Sequence, residues 1–294
     1  MEESTFHIDV LTVDKVSISY IEWRSHLIGK KPSILFLHAT GFHCRLWDQI
    51  AAQLPDYHVI APDLRGHGQS SKLAIDHWSI LAQDILNLMK SLEIKAVIGV
   101  GHSVGGHVLI ETAVRLPEVF KYLLLLDPVV GSPEFYSQNE KGVSKDFLKP
   151  ILERKCHFQS PKEMIDRFCD RRPYSIFTEE CLKNYCIHGL HKSKDGFTLA
   201  CPPEIEASFY ASSASNRNIL HYANQVNCPA TIVRARDGKK SKELSFEGSP
   251  TWSKLASVFA NGKDIQLKDL SHFIPMQAPQ LCLNLIDDIT QELV

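Results

Sequence analysis

Residues 96–106, Ala96-Val97-Ile98-Gly99-Val100-Gly101-His102-Ser103-Val104-Gly105-Gly106, constrain the fold of this chain more than any other stretch. Ala96 to Val100 is a short apolar run that reads as a buried strand. The run breaks at Gly101-His102-Ser103-Val104-Gly105. Val108, Leu109, Ile110, Ala113, Val114 and Leu116 then recur with helical spacing until Pro117. A turn this sharp must hold Ser103 in a strained backbone conformation, with its hydroxyl clear of the sheet. The residues flanking it lie too close to neighbouring backbone for a Cβ, which suits Gly101 and Gly105. The bare G-x-S-x-G pattern is weak, because composition alone places it in roughly a tenth of chains this long. Its strand–turn–helix setting makes it informative.

The flanking sequence supplies the rest of a sheet. Phe6 to Val10 and Val16 to Ile21 alternate apolar and polar residues, as half-exposed antiparallel strands do, and Asp14-Lys15 reads as a hairpin turn. Ser33 to His38 and Tyr57 to Ala61 are continuously apolar, as buried parallel strands are. Helical periodicity separates them at Leu46 to Leu54 and again at Ile80 to Leu92. Strands alternating with helices imply a parallel sheet covered on both faces. After the strand Tyr122 to Leu126 the pattern stops. Residues 131–222 are charged, rich in helix formers and almost free of strand-like runs, with helices expected at 146–155, 162–171, 179–190 and up to Tyr210. The sheet pattern resumes at Ala230 to Ala235. A helix around 252–259, a strand at 264–267 and a closing helix at 278–293 follow. The expected organisation is a first core segment (1–130), a helical cap (131–222) and a second core segment (223–294).

Composition removes whole classes of function. The net charge is −2 over 294 residues, and Lys239-Lys240 and Arg171-Arg172 are too small to form a phosphate-binding stripe, so no nucleic-acid partner is expected. The first residues carry acids and no basic leader, and the longest apolar run, Tyr122 to Leu126, is far too short to span a bilayer. The expectation is a soluble, cytoplasmic protein without a membrane span. Eight dispersed cysteines, none in C-x-x-C, read as reduced thiols. Fourteen histidines include no metal-ligand spacing, so neither metal nor other cofactor is expected.

With these motifs in order, the chain resembles the α/β-hydrolase fold family over nearly its whole length. Leu37-His38-Ala39-Thr40-Gly41-Phe42 resembles the family's H-G-x-G loop and is followed by Trp47. Asp63-Leu64-Arg65-Gly66-His67-Gly68-Gln69-Ser70 is similar to its D-x-R-G-x-G-x-S loop, and residues 101–106 resemble its nucleophile elbow. Arg236-Asp237 and Ser271-His272-Phe273-Ile274-Pro275 stand where the family places its acid and its histidine. The resemblance implies a mostly parallel eight-stranded sheet, helices on both faces and an inserted helical cap. Two positions depart from the pattern: Ala39 replaces the usual glycine, and Gln277 stands where a glutamate commonly follows the histidine.

The resemblance also implies roles. A serine hydroxyl needs a base within hydrogen-bond reach. Ser103 would attack, His272 would take its proton, and Asp237 would orient His272, in the order Ser…Asp…His used by this fold. Asp127 also ends a strand and is the alternative acid; the Pro128-Val129-Val130 that follows it favours Asp237. Backbone N–H groups of Val104 and Thr40 would form the oxyanion hole. Phe42, His102 and Phe273 are candidate substrate contacts. Cap aromatics would roof the pocket, with Arg171-Arg172 as surface residues or a carboxylate contact. The expected substrate is a small or medium apolar carboxylic ester. A C–C bond hydrolase of ring-cleavage products, or a ligand receptor on the same scaffold, are the alternatives.

Overall fold

The computed structural model describes residues 6–139, 143–238 and 246–293. The strands before the insertion are β1 (Phe6–Val13), β2 (Val16–Trp23), β3 (Ser33–Leu37), β4 (Val59–Pro62), β5 (Val97–His102) and β6 (Phe120–Leu126). Within the insertion lie β7 (His157–Phe158), β8 (Leu190–Ser193) and β9 (Gly196–Leu199), and β10 (Ala230–Arg234) and β11 (Gly262–Gln266) follow it. Eight strands form one sheet in the order β1-β2-β4-β3-β5-β6-β10-β11. The first two pairings are antiparallel and the others parallel. Asp14 and Lys15 both have positive φ, as a two-residue hairpin turn matching the strand twist requires.

The helices are α1 (Asp48–Ala52), α2 (Ser79–Ser91), α3 (Val104–Arg115), α4 (Pro133–Gln138), α5 (Lys145–Leu152), α6 (Pro161–Phe168), α7 (Glu179–His188), α8 (Pro203–Ala211), α9 (Ile219–Gln225), α10 (Ile274–Gln277) and α11 (Pro279–Glu292). Alternation along the strands divides the core. Leu35 and Leu37 of β3 face α2, α3 and α9, whereas Ile34 and Phe36 face α1 and α11. The central strands are therefore buried on both sides, which is why their sequences read as uninterrupted apolar runs.

The chain winds from β3 outward to β4 and returns to place β5 on the other side of β3. Loops leaving β3 and β5 thus diverge at a topological switch point, where an open α/β sheet leaves a crevice. The insertion lies between β6 and β10. Four of its helices, α4 to α7, begin on Ser132, Ser144, Ser160 and Thr178, whose hydroxyls accept the N–H groups of Phe135, Phe147, Glu163 and Cys181. Three expectations differ from the structure. The insertion contains a three-stranded sheet, β7-β9-β8, built from strands of two to four residues, too short to show a period. The helix expected at 252–259 is a single 3-10 turn, Leu255–Val258. The expected boundary at Tyr222 falls inside α9, which packs with α3 in the layer over the sheet.

Candidate active site

Ser103 stands between β5 and α3 with φ 58° and ψ −119°, a conformation that side chains rarely adopt. The turn is held by Ser103 N–H to Leu126 O (3.1 Å) and Val129 N–H to Ser103 O (3.1 Å). A Cβ on Gly101 would come within 2.7 Å of the Gly105 backbone, and one on Gly105 within 2.3 Å of Leu37 O. Both glycines are therefore demanded by close backbone approach. His272 Nε2 lies 2.9 Å from Ser103 Oγ.

The acid facing His272 is Asp127, and the expectation of Asp237 is corrected. His272 Nδ1 is 2.7 Å from Asp127 Oδ2, and Asp127 is fully buried. The other carboxylate oxygen accepts Ala235 N–H (3.0 Å) and the hydroxyls of Ser249 and Thr251. Asp127 also adopts a positive φ of 47°, fixed by its own N–H on Val233 O at 2.7 Å. Asp237 is exposed, three residues beyond the end of β10. The sheet supplies the reason. β6 is the direct neighbour of β5 with His102 paired to Leu126, so the next residue of each strand, Ser103 and Asp127, emerge side by side.

Three neighbours support the histidine. His102 Nε2–H donates to the His272 carbonyl (2.8 Å), and His102 is fully buried. It props the loop that carries His272 and has no exposed surface. Gln277 Oε1 accepts from the N–H and hydroxyl of Ser271, so the residue that departs from the family pattern anchors the same loop. Phe246 stacks on the imidazole with centroids 6.1 Å apart.

The loop after β3 is clamped by two further histidines. His38 Nε2 accepts Leu64 N–H (2.9 Å), and His67 Nε2 accepts Gly41 N–H (2.9 Å). Asp63 accepts the N–H groups of Cys44 and Gln69, both at 2.8 Å. The loop's left-handed residue is Gly41 (φ 80°), so Ala39 needs no glycine freedom. Gly41 N–H is occupied by His67, and Phe42 N–H by Ala39 O at 3.2 Å. Neither of these two N–H groups is open to a ligand. Val104 begins α3, where an N–H has no intrahelical acceptor and the helix dipole favours negative charge. Phe42 and Phe273 face each other at 5.8 Å within an aromatic cluster that includes Phe177 and Tyr185. Arg171 and Arg172 are exposed, and Arg172 pairs with Glu247.

Burial has a measurable consequence. His67, His102 and His107 are held neutral, with pKa values depressed by desolvation, to about 4 for His107. The folded chain therefore binds fewer protons than the unfolded chain wherever an ordinary histidine, near 6.5, would be charged. Their contribution to stability is complete above that pH and is lost as the pH falls from it toward the depressed values. Urea unfolding at pH 7.5, 6 and 5 is expected to show stability falling by up to about 1.4 kcal/mol per pH unit for each histidine below pH 6.5. A flat profile would contradict the buried neutral state.

No group of metal-ligating side chains occurs among the described residues, and no helix among them is long and apolar enough to cross a membrane. Lipase LipV of Mycobacterium tuberculosis is 37% identical over 126 residues, 41% of this chain and 48% of that protein. The 3-oxoadipate enol-lactonase 2 of Acinetobacter baylyi is 28% identical over 154 residues, 50% of this chain and 56% of that one. The matches thus span about half the length of these curated relatives, and 30% of an uncharacterised M. tuberculosis protein. The peroxisomal alpha-beta-hydrolase Lpx1 of Saccharomyces cerevisiae superposes with a TM-score of 0.80 at 15% identity, covering 98% of this chain and 88% of its own, a likeness of fold. A sequence model of the alpha/beta hydrolase family matches residues 34–223. With the sheet order, the elbow and this match together, the chain belongs to the alpha/beta hydrolase family.

Proposed function

We propose that the chain is a serine hydrolase that cleaves a small or medium carboxylic ester through an acyl-enzyme. The observation that carries this reading is the continuous hydrogen-bonded line from Ser103 Oγ through His272 to Asp127. Ser103 attacks the ester carbonyl while His272 Nε2 takes the hydroxyl proton, and Asp127 holds the tautomer with Nδ1–H and stabilises the imidazolium. The N–H groups of Val104 and Thr40 receive the developing oxyanion. His272 then gives its proton to the departing alkoxide, and water repeats the sequence to release the acid. The insertion shares an apolar cluster with Phe42 and Phe273, which supports a role as the roof of the substrate pocket. The names of the relatives, a lipase and an enol-lactonase, are consistent with ester-type bonds.

A fluorophosphonate probe tests the reading directly. The wild-type protein is expected to label, Ser103→Ala and His272→Ala are expected not to, and at least one p-nitrophenyl ester in a chain-length series should turn over repeatedly. A wild-type protein that does not label refutes the mechanism. Labelling of Ser103 without turnover of any ester favours C–C bond cleavage by the same residues.

A further inference from the structure

Two charged residues of the insertion, Arg154 and Glu206, act on the tyrosines of the aromatic cluster that packs on Phe42 and Phe273. Arg154 follows α5 and lies against Glu206 of α8, Nη1 to Oε2, with side chains 22% and 8% exposed. Its Nε is buried and has no acceptor. A buried ion pair is poor evidence for stabilisation, because removing two charges from water costs about what their attraction returns. A stranded N–H adds to that cost. Stability alone therefore gives no reason for a largely buried arginine with an unused Nε donor.

Its position does. Glu206 touches the loop that carries Thr40: a Cβ on Gly41 would come within 2.9 Å of Glu206 Oε1. Tyr210, one helical turn beyond Glu206, faces Phe246 at 6.4 Å, and Phe246 stacks on His272. Tyr185 packs on Phe42 at 5.2 Å, and its hydroxyl is 3.4 Å from that of Tyr174. The Arg154 charge acts on the hydroxyls of all three tyrosines. The guanidinium is thus bracketed by residues that touch the proposed oxyanion loop on one side and the histidine's aromatic wall on the other.

Guanidinium presents a planar fork of donors that fits a carboxylate, and here the Nε donor of the fork is unused. We propose that Arg154 anchors a carboxylate at the far end of the substrate's acyl chain, so that the site selects esters derived from dicarboxylic acids. This rests on Ser103 being the nucleophile. The apolar wall holds the methylenes between the scissile carbonyl and the anchor. Glu206 is suited to share the cation, because burial raises its pKa. It can take a proton from water as a second carboxylate arrives, so two anions need not compete for one guanidinium.

The test compares p-nitrophenyl hemiglutarate with p-nitrophenyl valerate, two chains of equal length that differ in the terminal group. Wild type is expected to favour the hemiglutarate in kcat/KM by roughly 10- to 100-fold, the range for a hydrogen bond to a charged group. The preference should vanish in Arg154→Gln and in Arg154→Gln/Glu206→Gln, which leaves no unpaired charge to threaten folding. It should hold or rise in Glu206→Gln. Wild-type preference for the valerate, or a hemiglutarate preference that survives in the double variant, overturns the proposal. Calorimetric titration of Ser103→Ala with glutarate and with valerate reads the anchor without turnover. Glutarate bound only when Arg154 is present, by a protein whose wild type neither labels nor hydrolyses, supports the anchor and refutes the hydrolase reading. Labelling of Ser103 with no preference for glutarate refutes the anchor alone.

Discussion

Asp127→Asn is expected to lower kcat by about 10⁴-fold on any ester the protein turns over, while Asp237→Asn stays within about twofold of wild type. An amide at position 127 presents either a donor or a weak acceptor to His272 Nδ1. The imidazole then loses the partner that fixes its tautomer, and the imidazolium formed during attack loses its counter-charge. The neighbours make the effect specific. Ala235 N–H and the Ser249 and Thr251 hydroxyls converge on Oδ1, 3.0 Å away for the amide, so they hold an asparagine oxygen there and turn its NH₂ toward His272. Donor would then face donor, or the ring would flip to the unproductive tautomer. Asp237, exposed beyond β10, has no such coupling to lose. Steady-state kinetics of the two variants beside wild type decide the matter. Equal rates for Asp127→Asn and wild type, or collapse of Asp237→Asn, would return the acid to Asp237.

The contrast between these aspartates marks how far the sequence could be read. The central strands, the elbow and the order of motifs were legible because each rests on local chemistry. Val97 to Val100 must be apolar to sit between two layers, and Gly101 and Gly105 must lack a Cβ. The four Ser and Thr caps of the insertion are local too, and α5, α6 and α7 lie near their expected bounds, whereas α4 had not been expected. The acid was not local. Asp127 and Asp237 both follow apolar strands, and which one faces His272 depends on β6 pairing directly with β5, a relation between segments distant in sequence. Arg154 escaped for the same reason: nothing in Leu152-Glu153-Arg154-Lys155 distinguishes it from a solvated arginine until Glu206 is folded against it. Arg171-Arg172 drew notice as a pair and lies on the surface. His102, adjacent to the nucleophile, read as a pocket residue because sequence does not say which side of the turn an imidazole takes.

The elbow offers a second large effect. Gly105→Ala is expected to destabilise the fold by about 3 kcal/mol, the upper part of the range for overpacking, and to abolish probe labelling of Ser103. The added Cβ would stand 2.3 Å from Leu37 O and 2.7 Å from Leu37 C. Those atoms are main chain at the end of β3, a strand paired on both edges, so they cannot rotate away as a side chain would. Relief requires α3 to lift from the sheet. That movement takes with it Val104, whose N–H is the proposed oxyanion donor, and unwinds the positive φ that aims Ser103. Stability and reactivity should therefore fall together. Gly99→Ala, in β5, separates this cause from a general intolerance of bulk. The atoms its Cβ would meet first are the side-chain ends of Leu123, Phe120 and Leu109 at 3.0–3.1 Å, each of which can give by a few tenths of an ångström. It should cost no more than about 1 kcal/mol and leave labelling intact, because no backbone near Ser103 has to move. Urea unfolding and probe labelling of the two variants side by side give the answer. Equal losses in both would mean that the sheet core as a whole, and not the contact between Gly105 and Leu37, sets the position of the nucleophile.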